Sequence, residues 1–421
     1  MVELMLILLC LLGCFSVLFV CNLKYKTVFC MTSIICFVWF IHLLLATLGL
    51  TGYYKLSWDF QVQVVGFIFG IFISESLVFP KKSSKLKVVT YNFTKERWIT
   101  SILLFLLVMA FIYSVYFSMS RGLGLQGVRD AFYSHGNSVS GILTPILWVV
   151  TGYVFYSLFC SFYGFFTGKV NGRFLVISLA NLVLFSLSLG GRTNLIYLAL
   201  IIVILSSVLI HCNGDVKLIY RIKGYSKKVA FSMGILIVVV TFIRNGTDIS
   251  VLLDTYNKYF IGALVAGSEF IDIYSEKLSS LRFGYSFMGL DTLIVSGGLR
   301  FIFSSNIESI LSETSGIMHY GVRISDTVVT NAHYTVLTPF FIDFGKLGGV
   351  VSGLLCGIGY LSAKKKLFKE TNLMWVSLYV YLSLLLVYSI RTNVLLEPGL
   401  MMTMFICLFK HYFSRKVIIS R

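Results

Sequence analysis

Arg192 lies in Ser188-Leu189-Gly190-Gly191-Arg192-Thr193-Asn194, a seven-residue gap between two long apolar runs. A second Arg-Thr-Asn, Arg391-Thr392-Asn393, separates two more apolar runs near the C-terminus. So short a connection between spanning helices leaves its arginine at the membrane surface, where a charge is costly and generally has a function. A guanidinium keeps its charge in a protein, and its planar fork matches a phosphate. Two of them on one side of a bilayer can grip one anionic head group. The bland alternative, an arginine that snorkels or ends a helix in an ion pair, stays open for each. Thr193 and Thr392 are each placed to cap a following helix, whose first N–H groups would add donors for an anion.

A second cluster is Asn331-Ala332-His333-Tyr334-Thr335, followed by Pro339-Phe340-Phe341-Ile342-Asp343-Phe344-Gly345-Lys346. An imidazole at a membrane boundary can take a proton from a hydroxyl near neutral pH, which makes His333 a candidate base. A structural hydrogen bond at a helix end is the equal alternative. Asp343, ten residues on, can orient a base, bind a hydroxyl or pair with Lys346. Arg244, Arg282, Arg300 and Arg323 lie in the long polar segment between these clusters, either completing a phosphate site or serving as surface charge. Glu75 sits near one end of an apolar run and reads as a snorkelling carboxylate. Glu397 lies within two turns of Arg391 and reads as its ion-pair partner.

The elements that must carry these residues are helices in a bilayer. The 421 residues are 57% hydrophobic and 13% charged, against about a quarter charged in soluble domains. About 20 apolar residues cross the hydrocarbon. Eleven spans follow: 3–22, 27–50, 60–79, 98–119, 142–167, 174–190, 194–212, 229–243, 346–362, 373–390 and 394–410. The first lacks the basic start and small-residue cleavage site of a signal peptide. The chain thus divides into a membrane bundle of eight spans (1–243), a large extracytoplasmic loop with amphipathic helices (244–332) and a C-terminal membrane segment of three spans (333–421). Within the loop, Val251 to Tyr274 mixes apolar residues with Asp254, Lys258, Glu269 and Asp272, as a helix lying on the membrane surface would. The segment 333–344 reads as a dip into the membrane.

Alternate connections collect the charge on one side. One set, with Lys24, Lys26, Lys81, Lys82, Lys85, Lys87, Lys169, Lys364, Lys365, Lys366 and the tail, holds 23 basic residues against three acidic ones. Basic loops stay in the cytoplasm, so the N-terminus faces out and the C-terminus in. The net charge of +17 then reflects orientation and anionic lipid, not nucleic acid. The nine cysteines show no metal-ligand spacing and read as small apolar fillers, not disulfides. No nucleotide-binding or hydrolase motif occurs in a credible context, so ATP-driven chemistry has no support.

The layout of about eleven spans with one large outward loop resembles the bacterial oligosaccharide repeat-unit polymerases of O-antigen and capsule. Two motifs add to the resemblance: Gly190-Gly191-Arg192-Thr193 after an apolar span, and Tyr334-Thr335 leading to Phe341-Ile342-Asp343-Phe344-Gly345 with Gly348. It implies an all-α, GT-C-like polytopic membrane protein of the bacterial inner membrane. The implied reaction moves a growing glycan from undecaprenyl diphosphate to a sugar hydroxyl on a lipid-linked acceptor, with no metal and no cofactor. Arg192 and His333 would be catalytic, and Arg391, Arg244, Arg282, Arg300, Arg323 and Asp343 would bind diphosphate or glycan. The expected partners are the lipid-linked oligosaccharide, membrane lipid and a chain-length regulator. An O-antigen ligase or a lipid-linked oligosaccharide flippase remain the alternatives.

Overall fold

A computed structural model describes residues 2–25, 30–49, 51–78, 87–88, 93–120, 122, 140–166, 168–188, 193–212, 224, 231, 234–235, 249–279, 283–295, 309–310, 321–330, 335–392, 395 and 397–418. The helices are α1 (Val2–Tyr25), α2 (Met31–Thr47), α3 (Trp58–Leu77), α4 (Thr94–Ser120), α5 (Ser140–Phe166), α6 (Gly172–Ser188) and α7 (Thr193–Cys212). They continue with α8 (Ile249–Ser279), α9 (Met288–Ile294), α10 (Leu337–Phe344), α11 (Gly348–Lys369), α12 (Leu373–Tyr388) and α13 (Pro398–Ile418). Two-residue strands pair β1 (Lys87–Val88) with β4 (Glu370–Thr371) in parallel, and β2 (Val322–Arg323) with β3 (Val329–Thr330) antiparallel.

The architecture is all-α. Ten of the eleven expected spans coincide with a helix, and the expected span 229–243 falls mostly outside the described residues. Among the described residues, five stretches are long and apolar enough to cross a membrane: Glu3–Tyr25, Trp58–Leu77, Thr94–Ser120, Ile146–Phe165 and Leu337–Lys369. Four shorter apolar helices accompany them. The chain forms two compact units that interleave along the sequence: residues 1–82, 249–365 and 382–398, and residues 83–248, 366–381 and 399–421.

In the first unit, α1 shows why an almost wholly apolar helix still has a facing. Leu6, Cys10, Cys14, Val17 and Cys21, spaced three or four apart, are buried. Leu4, Leu8, Leu12, Phe15, Phe19 and Leu23 are more than half exposed on the opposite side. Lipid is as apolar as leucine, so close packing of small side chains, not the hydrophobic effect, joins helices there. Glycine extends this at α3 and α11. A Cβ on Gly353 would run into the Phe67 carbonyl oxygen, and one on Gly70 would lie 2.5 Å from the Val350 carbonyl oxygen.

Gln63 closes the same contact with polar bonds. Its Nε2 donates to the Lys346 carbonyl at 3.1 Å, and its Oε1 accepts the Gly349 N–H at the start of α11. The apolar stretch 337–369 is broken into α10 and α11 by Gly345, whose φ of +56° suits glycine.

Two expectations for side chains near the α1–α2 connection are corrected. Glu75 does not snorkel: it is fully buried, accepting from Thr32 Oγ1 at 2.6 Å and Tyr25 Oη at 3.4 Å, with Lys24 Nζ at 3.9 Å. A buried carboxylate needs such partners. Cys21 and Cys30, expected as fillers, are joined as a disulfide between the last turns of α1 and the cap of α2. Cys10, Cys14, Cys36, Cys160, Cys356 and Cys407 are buried and not in disulfides.

The helix expected on the membrane surface exists as α8, and its middle is enclosed by protein. Ile261 to Ser268 are buried without interruption, so its middle is covered on every side. Gly262 and Gly267 permit this: added Cβ atoms there would lie 2.9 Å from Ile324 Cδ1 and 2.7 Å from Thr338 Oγ1. Phe270, Tyr285, Met288, Ile310, Val322 and Ile342 form a core joining α8, α9, the β2–β3 hairpin and α10.

In the second unit, polar side chains stitch the helices. Asn181 Nδ2 donates to the Thr100 carbonyl at 2.9 Å, joining α6 to α4. Ser178 Oγ donates to the Ser157 carbonyl at 3.3 Å, joining α6 to α5. At the ends, Lys410 pairs with Glu96 at 3.2 Å, and Arg97 donates to Asn171 at 3.1 Å.

Candidate functional site

Arg391 follows α12 in a turn closed by the N–H groups of Arg391 and Thr392, both donated to the Tyr388 carbonyl. Its side chain is 6% exposed. The guanidinium carbon lies 4.6 Å from the ring centre of Tyr259 on α8 and 5.4 Å from that of Tyr388. One terminal N–H donates to Tyr388 Oη at 3.0 Å. A flat cation against ring faces is attracted by their quadrupoles and held in orientation. Thr193 opens α7, as expected, whereas residues 393, 394 and 396 after Arg391-Thr392 lie outside the described residues.

The turn is braced from two directions. Trp39 on α2 donates its indole N–H to Ser389 Oγ at 2.8 Å, and Val336 N–H donates to the Ser389 carbonyl at 2.8 Å. Trp39 itself is fully buried and packs against Phe67 at 5.2 Å. Val336 follows His333 by three residues in the chain.

One turn beyond Trp39 on α2 is His42, a residue that sequence reasoning passed over. It is 5% exposed. Its Nδ1 lies 2.7 Å from the Val38 carbonyl, which can only accept, so Nδ1 carries a proton. Its Nε2 lies 2.7 Å from Tyr256 Oη and accepts that hydroxyl. Phe260 packs on both rings, at 5.8 Å from His42 and 4.9 Å from Tyr256. The Tyr256 side is 43% exposed, and partial burial pushes its phenol above the ordinary value. Tyr256 and Tyr259 are three apart on α8 and so share a face. The signal for His42 was present: an ionisable group inside an apolar helix is a functional candidate.

Asp343 has a different occupation from those expected. Its Oδ1 accepts the N–H groups of Gly284 at 2.9 Å and Tyr285 at 3.0 Å, and its Oδ2 accepts that of Ser286 at 2.7 Å. These N–H groups start the 3-10 turn Tyr285–Phe287 ahead of α9. The carboxylate is therefore an anchor for that turn, with backbone amides in place of Lys346. Arg323 is exposed on β2, in a hairpin fixed to the chain before α3: Tyr54 N–H donates to the Ile324 carbonyl at 2.8 Å and Tyr54 Oη to Asp326 at 3.0 Å.

Arg192, His333, Arg244, Arg282 and Arg300 lie outside the described residues. Of the expected site residues, Arg391, Asp343 and Arg323 are described, and all three belong to the first compact unit. Glu269 and Asp272 on α8 form an acidic spot there with Asp59. Burial and then mutual repulsion raise the Glu269 carboxyl. Burial also raises that of Asp272, with Asp59 adding to it and Ser57 opposing.

Comparison of the chain with protein-family models, characterised proteins and solved structures returns no match.

Proposed function

We propose that the chain is a membrane glycosyltransferase that polymerises oligosaccharide repeat units carried on undecaprenyl diphosphate, at the outer face of the bacterial inner membrane. The reading includes the finer layout of eleven spans in a GT-C-like arrangement, N-terminus out and C-terminus in. The growing glycan passes from its lipid diphosphate to a hydroxyl of the incoming lipid-linked unit.

The observation that carries this is Arg391. A cation with only 6% exposure, stacked on two tyrosine rings in a doubly braced turn, is held before any ligand arrives. A fixed guanidinium stabilises charge developing on a diphosphate leaving group without reorganising at the moment of reaction.

The pairing of polar groups agrees with the two-sided sorting of the connections. Groups at the ends assigned to the cytoplasmic side meet one another: Lys24 with Glu75 near the end of its span, Lys364 over the Tyr25 ring at 4.1 Å, and Lys410 with Glu96. Residues assigned outward do the same: His42 with Tyr256, Tyr54 with Asp326, and Arg391 with Tyr259.

The test is the purified full chain in lipid nanodiscs, given the lipid-linked repeat unit isolated from a strain that lacks the protein. The wild type should yield a ladder of glycan lengths. Arg391→Ala should abolish the ladder, and Arg391→Lys should lose about 10²–10³ in rate, because an ammonium keeps the charge but not the fork. A wild type that forms no product longer than one unit, or an alanine variant with an unchanged ladder, overturns the reading.

A further inference from the structure

We infer that Tyr256, backed by His42, takes the proton of the acceptor hydroxyl during glycosyl transfer. This rests on the polymerase reading and adds to it a catalytic residue that the sequence motifs did not suggest.

The geometry is that of a poised relay. Val38 holds the His42 ring by Nδ1–H, which leaves Nε2 with a lone pair directed at the Tyr256 hydroxyl, 2.7 Å away. A buried neutral histidine has one donor and one acceptor nitrogen to satisfy, and these two bonds satisfy both. The second links it to a phenol that is 43% exposed and so has water available. A phenol in that position offers its oxygen to an outside hydroxyl while its own proton already points at a base. Phe260 fixes the pair by packing on both rings.

The location fits the reaction. Tyr259 lies one turn along α8 from Tyr256, with a rise of about 4.5 Å, and its ring carries Arg391. One helix face therefore presents a proton acceptor next to the cation proposed for the leaving group. In the step, the acceptor oxygen bonds to the anomeric carbon of the donor glycan. The bond from that carbon to the diphosphate oxygen breaks, and its electron pair leaves with the diphosphate beside Arg391. The acceptor's proton passes to Tyr256 Oη as the tyrosine's own proton passes to His42 Nε2. His42 ends as imidazolium, still donating Nδ1–H to Val38, and returns its proton to water through Tyr256. Tyr256 is the catalytic residue because it touches the substrate, and His42 positions and recharges it.

The experiment measures rates on the isolated lipid-linked repeat unit for the wild type, Tyr256→Phe, His42→Gln and the double variant, each normalised to folded, monodisperse protein. Loss of a general base is worth about 10²–10⁴ in rate. Tyr256→Phe should lower kcat by that factor with KM unchanged. His42→Gln, which can still bond Tyr256 but cannot take its proton, should lower kcat comparably. The double variant should be no slower than the worse single one, since the pair acts as a unit. If the His42 variants fail to fold, Tyr256→Phe decides alone, because its ring and the packing on Phe260 stay. An active wild type with Tyr256→Phe within threefold of it overturns the relay and leaves the polymerase reading standing. An inactive wild type overturns both.

Discussion

The Trp39 indole N–H and the Ser389 hydroxyl, 350 positions apart, meet at 2.8 Å in a fully buried contact. Ser389 in turn donates to the Leu386 carbonyl at 2.6 Å, so the bond fixes the end of α12 two residues before Arg391. Trp39→Phe keeps most of the ring and removes the donor. Ser389→Ala removes the acceptor. Each should cost about 1 kcal/mol of stability, and a double-mutant cycle read by thermal unfolding in nanodiscs should show a coupling of about 0.5–1.5 kcal/mol. Additive losses would mean that the two side chains do not communicate.

Asp343 gives a prediction that separates anchoring from substrate binding. Its carboxylate accepts three consecutive backbone N–H groups, Gly284 to Ser286. Asp343→Asn replaces one acceptor oxygen by a donor and leaves at least one amide unmatched. The expected cost is about 1–3 kcal/mol, with faster hydrogen exchange at the amides of residues 284–286. A raised KM for the lipid-linked unit with unchanged exchange would instead make Asp343 a glycan ligand.

Helices were legible in the sequence because a bilayer demands long apolar runs, and α1 to α7 fall where hydropathy puts them. Arg391 was legible for the same reason, as a charge that hydropathy cannot explain. The role of Asp343 was not, since its partners lie nearly sixty positions upstream on a turn with no motif. The burial of the middle of Val251–Tyr274 was legible in its charges. Asp254, Lys258, Glu269 and Asp272 lie toward the ends of α8 and leave Tyr259 to Ser268 free of charge, which is the pattern of a helix with a buried middle. Glu75 was misread because its partners, Thr32 and Tyr25, look unremarkable until α1 to α3 are packed. His42 was missed because the one imidazole within α2 lies in an apolar run that hydropathy reads simply as a span.

The α3–α11 contact tests whether glycine or mere smallness is required. A Cβ at Gly353 would enter the Phe67 carbonyl oxygen, a backbone atom that cannot rotate away. At Gly359, on the same helix, a Cβ would meet only Leu382 methyl carbons at 3.6–3.7 Å, an ordinary contact. Gly353→Ala should therefore destabilise by at least about 1–3 kcal/mol and reduce the yield of monodisperse protein, and Gly353→Val should do worse. Gly359→Ala should behave as wild type or slightly better, as expected for a better helix former. Equal tolerance at both sites would show that α3 and α11 do not approach this closely.

The acidic spot on α8 makes stability depend on pH in a direction that can be worked out. Burial and the neighbouring Asp272 raise the Glu269 carboxyl above its ordinary value of 4.5. The folded state then holds this proton at pH values where the unfolded chain has released it. With fewer protons bound in the unfolded state, stability falls as pH rises. The favourable contribution is complete below 4.5 and is lost as pH climbs through the raised folded value. Above that window Glu269 is ionised in both states, and its charge opposes folding. Glu269→Gln removes the charge and keeps the shape, so it should raise the thermal midpoint at pH 7 to 8. The gain should shrink toward zero below about pH 4.5, where the wild-type carboxyl is neutral in both states. A gain that persists unchanged into acid would mean that the amide stabilises through packing, and that repulsion between Glu269 and Asp272 is absent.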